Sequence, residues 1–354
     1  MTNRKKQSGV RTHVAQFLAG FLVLFAAGDW LIAQFRLPLL TAGGNEVRSK
    51  WEMYRDRSVT PDVVILGSSY EEFGVNPAVL DEQVGERLGR EVSTMNLAAP
   101  ASSLNTEYLV VRELLKGDDL PKLAYLGITP YAVDVGQRGW VRNGLKVFGN
   151  HHDLLACWSM DWMTFRETLI ASVFRSYAQW SDLRLILERL VLAAKWDDDA
   201  ESRPDAQGWR TWRGKRRPQV MRFEPASTLL DLETLGAGRF GSDTINGRRV
   251  REAIAALRER GVTVRLLELP HASTSLAESD PKKNHAYRAF VDDLIADTGV
   301  SLVRPQEGLL VDADYFDDGH LLAVGAAKLS RWLARDTARA LANHGNRVQD
   351  ASGL

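Results

Sequence analysis

Cysteine is almost absent. The chain of 354 residues holds one, Cys157, which excludes an intrachain disulfide and a cysteine-cluster zinc site. A surplus of charge of one sign is missing too: 45 Lys and Arg balance 45 Asp and Glu. Dedicated nucleic-acid binders carry a basic surplus, so no nucleic-acid partner is expected. No internal repeat is evident, and no motif asks for a cofactor. His151-His152-Asp153 resembles a metal cluster only superficially, because no second ligand set accompanies it, so no metal is expected either.

What is present is an ordinary globular composition, 45% hydrophobic and 25% charged, with length for one large domain or two ordinary ones. The N-terminal segment addresses the compartment. Residues 1–13 carry Arg4, Lys5, Lys6 and Arg11 and no acid; residues 14–35 are nearly all apolar, with Asp29 their only charge. About 22 apolar residues at 1.5 Å each suffice to cross a bilayer, and the basic flank keeps the N-terminus inside. This reads as a basic cytoplasmic tail and a single transmembrane anchor in the inner (cytoplasmic) membrane. The remainder is then extracytoplasmic, or periplasmic. A cleaved signal peptide is the alternative; its apolar region is normally shorter and followed by a small-residue cleavage site.

Beyond a linker with a short helix at 36–60, strand and helix patterns alternate. Apolar runs at 62–67, 91–98, 122–128, 262–269 and 300–303 predict buried strands. Helical patterns at 77–89, 103–116, 244–260, 281–298 and 324–343 separate them. Such alternation predicts an α/β domain over 61–345, a parallel sheet between two layers of helices, with a short tail at 346–354. The alternation lapses over 135–245, which holds seven of the ten tryptophans, a helical pattern at about 161–196 and a basic run from Arg210 to Arg217. This region reads as a helical, Trp-rich insertion or lid. Its tryptophans suit a glycan platform, a membrane-facing surface or simple packing. The basic run suits an anionic glycan, a lipid headgroup or plain solvation.

Two short segments carry chemistry. Gly67-Ser68-Ser69 directly follows a buried strand, where a hydroxyl stands at the carboxyl edge of the sheet beside a helix start. A serine there is a nucleophile or a helix cap. Some 250 residues later, Asp317-Asp318-Gly319-His320 puts a carboxylate three residues before an imidazole. A serine nucleophile needs such a base, and the base needs a group to fix its tautomer.

Ile65-Leu66-Gly67-Ser68-Ser69 with Phe73-Gly74-Val75-Asn76-Pro77 resembles the first block of the SGNH/GDSL hydrolase superfamily. Asp317-x-x-His320-Leu321, followed by Gly325-Ala326, resembles its last block. The Gly-Ser-Ser form and the anchor are most similar to two membrane-anchored branches. These are the D-alanyl transfer proteins of teichoic-acid modification and the SGNH-like acetyltransferases that serve exported polysaccharides. The resemblance implies a three-layer, flavodoxin-like fold and a triad of Ser69, Asp317 and His320. Ser68 and Asp318 are the neighbouring alternatives, set aside by motif register. No cofactor is implied. The implied partners are an exported glycan or acylated carrier and a membrane-bound O-acyltransferase.

This sequence departs from the family pattern twice. Asn96-Leu97-Ala98-Ala99-Pro100-Ala101 stands where a glycine amide normally serves the oxyanion hole, so the amides of Ser69, Ala99 and Ala101 are the candidates. Gly127-Ile128-Thr129-Pro130-Tyr131 stands where an Asn side chain normally does; Asn105 and Asn143 are conceivable substitutes, and His271 a conceivable substrate contact. The expected activity is acyl transfer or ester hydrolysis on a cell-envelope or exported polysaccharide. A catalytically inactive scaffold that binds glycan or an O-acyltransferase is the alternative, and a soluble-substrate lipase or thioesterase a third.

Overall fold

A computed structural model describes residues 46–134, 144–145, 147–154, 162–173, 204–211, 240–272, 281–317 and 319–352, and eight positions between 16 and 28. The segment read as an anchor therefore lies largely outside the described residues; within it Phe17, Phe21, Val23 and Leu24 are helical and exposed. Among the described residues no helix is long and apolar enough to cross a membrane. Trp140, Trp158, Trp180, Trp196 and Trp212, Asn143 and Asp318 also lie outside them, as does the basic run beyond Thr211.

Five strands form one parallel sheet: β1 (Val63–Leu66), β2 (Thr94–Asn96), β3 (Leu123–Gly127), β4 (Thr263–Leu267) and β5 (Ser301–Val303). Their order is β2-β1-β3-β4-β5, the flavodoxin-like order, and it reverses direction between β1 and β3. The four residues of β1 are all buried, as a strand covered on both faces requires. Alternation then sorts them. Val63 and Ile65 join one apolar cluster with helices α3 (Pro77–Leu88) and α9 (Ala323–Ser352). Val64 and Leu66 join another with α4 (Leu104–Leu114), α7 (Ile245–Glu259) and α8 (Pro281–Thr298). The result is helix, sheet, helix: the three layers expected.

Three elements differ from the sequence reading. The linker's short helix, α1 (Glu46–Arg55), is part of the folded body, with Val47 in the core and Lys50 fully buried. The last helix continues to Ser352, through most of the stretch read as a tail. A helix of six residues, α2 (Ser69–Gly74), follows β1 and carries no periodicity long enough to detect.

Part of the insertion is also integral. Residues 204–211 lie along the sheet's β2 edge, where the Asn96 amide donates to the Gln207 carbonyl at 2.8 Å. Arg210 is buried, paired with Glu46 at 2.6 Å and set over the Phe73 ring. This corrects the expectation of a solvated or ligand-facing basic run, at least for its first residue: the guanidinium is committed to the interior.

Candidate active site

The loops after all five strands leave the sheet at one edge, where the strand order reverses between β1 and β3. Ser69 follows β1 at that edge. Ser68 caps α2 in an extended conformation, its Oγ accepting from the Tyr70 amide at 3.4 Å. Ser69 is thereby the first residue of the helix and is partly exposed.

The partner segment is shaped by its own aspartate. Asp317 Oδ1 accepts from the amides of Gly319 at 3.0 Å and His320 at 2.8 Å, an Asx-type turn that folds the chain back on itself. A bridge between Tyr315 and Leu321 and the Phe316 amide bonded to the His320 carbonyl close the turn. His320 Nδ1 then meets Asp317 Oδ2 at 2.7 Å, and its Nε2 meets Ser69 Oγ at 2.8 Å. Both lie within ordinary hydrogen-bond range. With Nδ1–H donating to the carboxylate, Nε2 presents its lone pair to the serine hydroxyl. Burial pushes the Asp317 carboxyl up, but the His320 ring and two amides outweigh it, and the group rests below the usual carboxylate range. It stays ionised wherever the imidazole needs a counter-charge.

Aromatic rings hold the imidazole in plane. Tyr70 stacks on it at 5.3 Å and 10°, and Phe73 meets it edge-on at 5.5 Å. Tyr70 also lies against Gly319 so closely that a Cβ there would overlap its ring. Tyr131, after β3, stacks on Tyr70 at 6.2 Å, and His271, after β4, meets Tyr70 edge-on at 4.9 Å. Tyr70, Phe73 and Tyr131 were not legible as site residues. The signal was there in part: the aromatics one and four positions after the candidate serine are three apart and so share a face of the short helix.

The oxyanion candidates divide. The Ala99 amide donates to the Gly67 carbonyl at 3.1 Å, because the parallel ladder between β1 and β2 runs on past Asn96. It is spent on the sheet, which removes Ala99 from the candidate donors. Ala101 instead takes a left-handed backbone, φ 52°, in which an L side chain is strained. Ser69, first in its helix, has an amide with no intrahelical acceptor. Asn105 is buried, and its backbone amide donates to Asn246 Oδ1 at 3.1 Å. Asp153 is held by Arg112 and Arg249 at 2.9 and 3.0 Å, which accounts for it without a metal. Thr129 caps the helix Pro130–Val133, its Oγ1 accepting from the Ala132 amide at 3.1 Å.

Behind the serine lies a group of buried charges. Glu72 pairs with Lys50 at 2.8 Å and lies 3.9 Å from Arg210. Glu71 and Glu107 are buried as well, and burial pushes both carboxyls up, Glu71 to about 7.

No protein-family profile and no curated protein sequence matches this chain. Several solved structures resemble it remotely, two of which follow. A Streptococcus pneumonia protein, provisionally described as a platelet activating factor, is 10% identical with a TM-score of 0.36, covering 92% of this chain and 99% of its own. The lipase/acylhydrolase from Enterococcus faecalis is 11% identical with a TM-score of 0.33, covering 78% and 95%. Likeness at this level leaves the chemistry to the side chains themselves.

Proposed function

We propose that this chain is a serine acyltransferase or esterase of the SGNH type, acting through an acyl-Ser69 intermediate. The observation that carries this is the succession Ser69 Oγ, His320 Nε2, His320 Nδ1, Asp317 Oδ2, with steps of 2.8 and 2.7 Å on either side of the imidazole. The motifs of the first and last blocks support it, since they supply these same three residues.

In this reading Ser69 Oγ attacks the carbonyl carbon of an acyl donor while His320 Nε2 takes the hydroxyl proton. Asp317 holds the tautomer and offsets the imidazolium charge. The oxyanion meets the Ser69 amide and the turn about Ala101; one such donor contributes about 3–4 kcal/mol to barrier lowering. Collapse expels the donor's leaving group, which takes the proton from His320. A water or a sugar hydroxyl then attacks the acyl-serine, giving its proton to His320, and Ser69 is restored. The single-pass anchor read in residues 14–35 puts this chemistry outside the cytoplasmic membrane. The acceptor class that fits is a cell-envelope or exported polysaccharide, with a membrane-bound O-acyltransferase as donor partner.

A fluorophosphonate probe tests the central claim on the full-length protein in detergent. We expect covalent labelling mapped to Ser69, absent in Ser69→Ala. An unlabelled wild-type protein with intact fold would replace the enzyme reading with the inactive scaffold. Carbonate extraction of membranes checks the anchor: a released chain would sink that part alone.

A further inference from the structure

The crevice where an α/β sheet of this order ordinarily receives its ligand is here filled from within. β1 and β3 each run out into a glycine, Gly67 and Gly127, and a Cβ at either would overlap the carboxyl group of Glu71. The side chain of Glu71 thus lies between the two strand ends. It is fully buried, and its Oε2 accepts from the Ser68 amide at 2.8 Å and lies 3.1 Å from Ser68 Oγ. Its Oε1 has no hydrogen-bond partner among the described residues. The charged groups nearby are Glu107 on α4, whose carboxyl is raised partly by Glu71, and the Glu72–Lys50–Arg210 group one residue along.

A glutamate three residues after a helix cap is commonly a capping box, a surface device that satisfies two amides. That role does not account for what is seen. A capping carboxylate on the surface keeps its hydration, whereas this one has lost it, and burial holds it near neutrality at about 7. Burying a carboxyl costs several times what a cap returns. Two strands have also given up their Cβ atoms to admit it.

We propose that Glu71 is a positioning residue for the nucleophile: by clamping the Ser68 backbone and hydroxyl from inside the sheet, it fixes where Ser69 Oγ meets His320. The inference rests on the acyl-transfer reading for its purpose but not for its geometry. Ser69 is joined to Ser68 by one peptide bond, so a shift of the Ser68 amide carries the nucleophile with it. A displacement of about 1 Å at a reacting atom costs on the order of 100-fold in rate.

The test compares Glu71→Met, of similar length but without an acceptor, with Glu71→Gln, which keeps an oxygen for the Ser68 amide. Two measurements are made on full-length protein in detergent: the 15N shifts of the His320 ring, and the rate of fluorophosphonate labelling. Ser69→Ala defines the ring signature of the broken hydrogen bond. We expect Glu71→Met to show that signature and to label about 10- to 100-fold more slowly. Glu71→Gln is expected to keep the wild-type signature and to label within about 3-fold of wild type, a rescue that loss of bulk packing would not produce. Wild-type ring shifts in Glu71→Met, or the Ser69→Ala signature in Glu71→Gln, would overturn the proposal. If Glu71→Met does not fold, Ser68→Ala decides: it removes one arm of the clamp, and unchanged ring shifts count against it. Should the wild-type protein resist labelling altogether, the acyl-transfer reading fails, while the ring shifts still judge the clamp.

Discussion

Gly319 shows how narrowly single residues are specified at the site. The Tyr70 ring occupies the space a side chain would need there, and the same ring keeps His320 in plane. Gly319→Ala must push the loop or the ring aside. We expect labelling of Ser69 to fall at least tenfold, with a loss of about 1–3 kcal/mol in stability by thermal melting. An unchanged labelling rate would mean that the Tyr70 stack does not hold the imidazole. At this scale the sequence was partly readable. Ser69, Asp317 and His320 were identified because their chemistry needs those residue types, and the structure brings their side chains together. Tyr70, Phe73 and Glu71 escaped because nothing in a periodicity distinguishes a ring that orients an imidazole from one that fills a core. Ser68-x-x-Glu71 does spell the capping-box pattern, so the clamp had a readable trace, although its burial did not. Ala99 failed as an oxyanion candidate for a reason no sequence states. The ladder beside β1 extends three residues beyond β2 and consumes its amide.

Elements were more legible than their roles. The five strands and the long helices between them follow from apolar runs and helical spacing, and each lies within a few residues of its expected place. The short α2 was not foreseen, because six residues cannot display a period. α1 was foreseen as a helix but not as part of the core, since its mean composition is polar and its anchoring residue is a lysine. Lys50 pairs with Glu72, and its ammonium also donates to the Ala98 carbonyl. It thus ties α1 to the back of α2 and to the loop after β2. Burial pushes the Glu72 carboxyl up to about 8 even with Lys50 beside it, so losing Lys50 leaves a buried carboxyl without its partner, at about 3–5 kcal/mol. Lys50→Ala should lower stability by that order in chemical denaturation, whereas Lys50→Met combined with Glu72→Met should lose less. A double variant as unstable as the single one would show that packing of α1, not charge pairing, holds the site's rear wall.

For the whole molecule, the buried carboxylates make stability depend on pH in a definite direction. Glu71 passes from an ordinary 4.5 to about 7, raised by burial against the Ser68 bonds that pull it down. Glu107 moves the same way. An acid whose folded value is raised holds its proton more tightly in the native state. Its contribution is complete below about 4.5 and is lost as pH climbs through 7. Unfolding free energy should therefore decline between pH 5 and 8, by on the order of 3 kcal/mol from Glu71 alone. Asp317, lowered in the fold, acts oppositely and withdraws stability only on acidification below its ordinary range. Urea titrations across this window should show the decline in wild type and a flatter profile in Glu71→Gln. A wild-type profile that rises with pH would refute the assignment.

The strap at 204–211 has a consequence for the molecule in a crowd. β2 is the terminal strand of the sheet, and a terminal strand offers unpaired amides to any other chain that can add itself in register. Gln207 takes the Asn96 amide, and Gly208 crosses so near the Asn96 carbonyl, at φ 79°, that no side chain fits there. The strap acts as a guard against edge-to-edge aggregation. Gly208→Val should prise it off and leave the protein folded but self-associating, with light scattering that grows with concentration while the wild type stays flat.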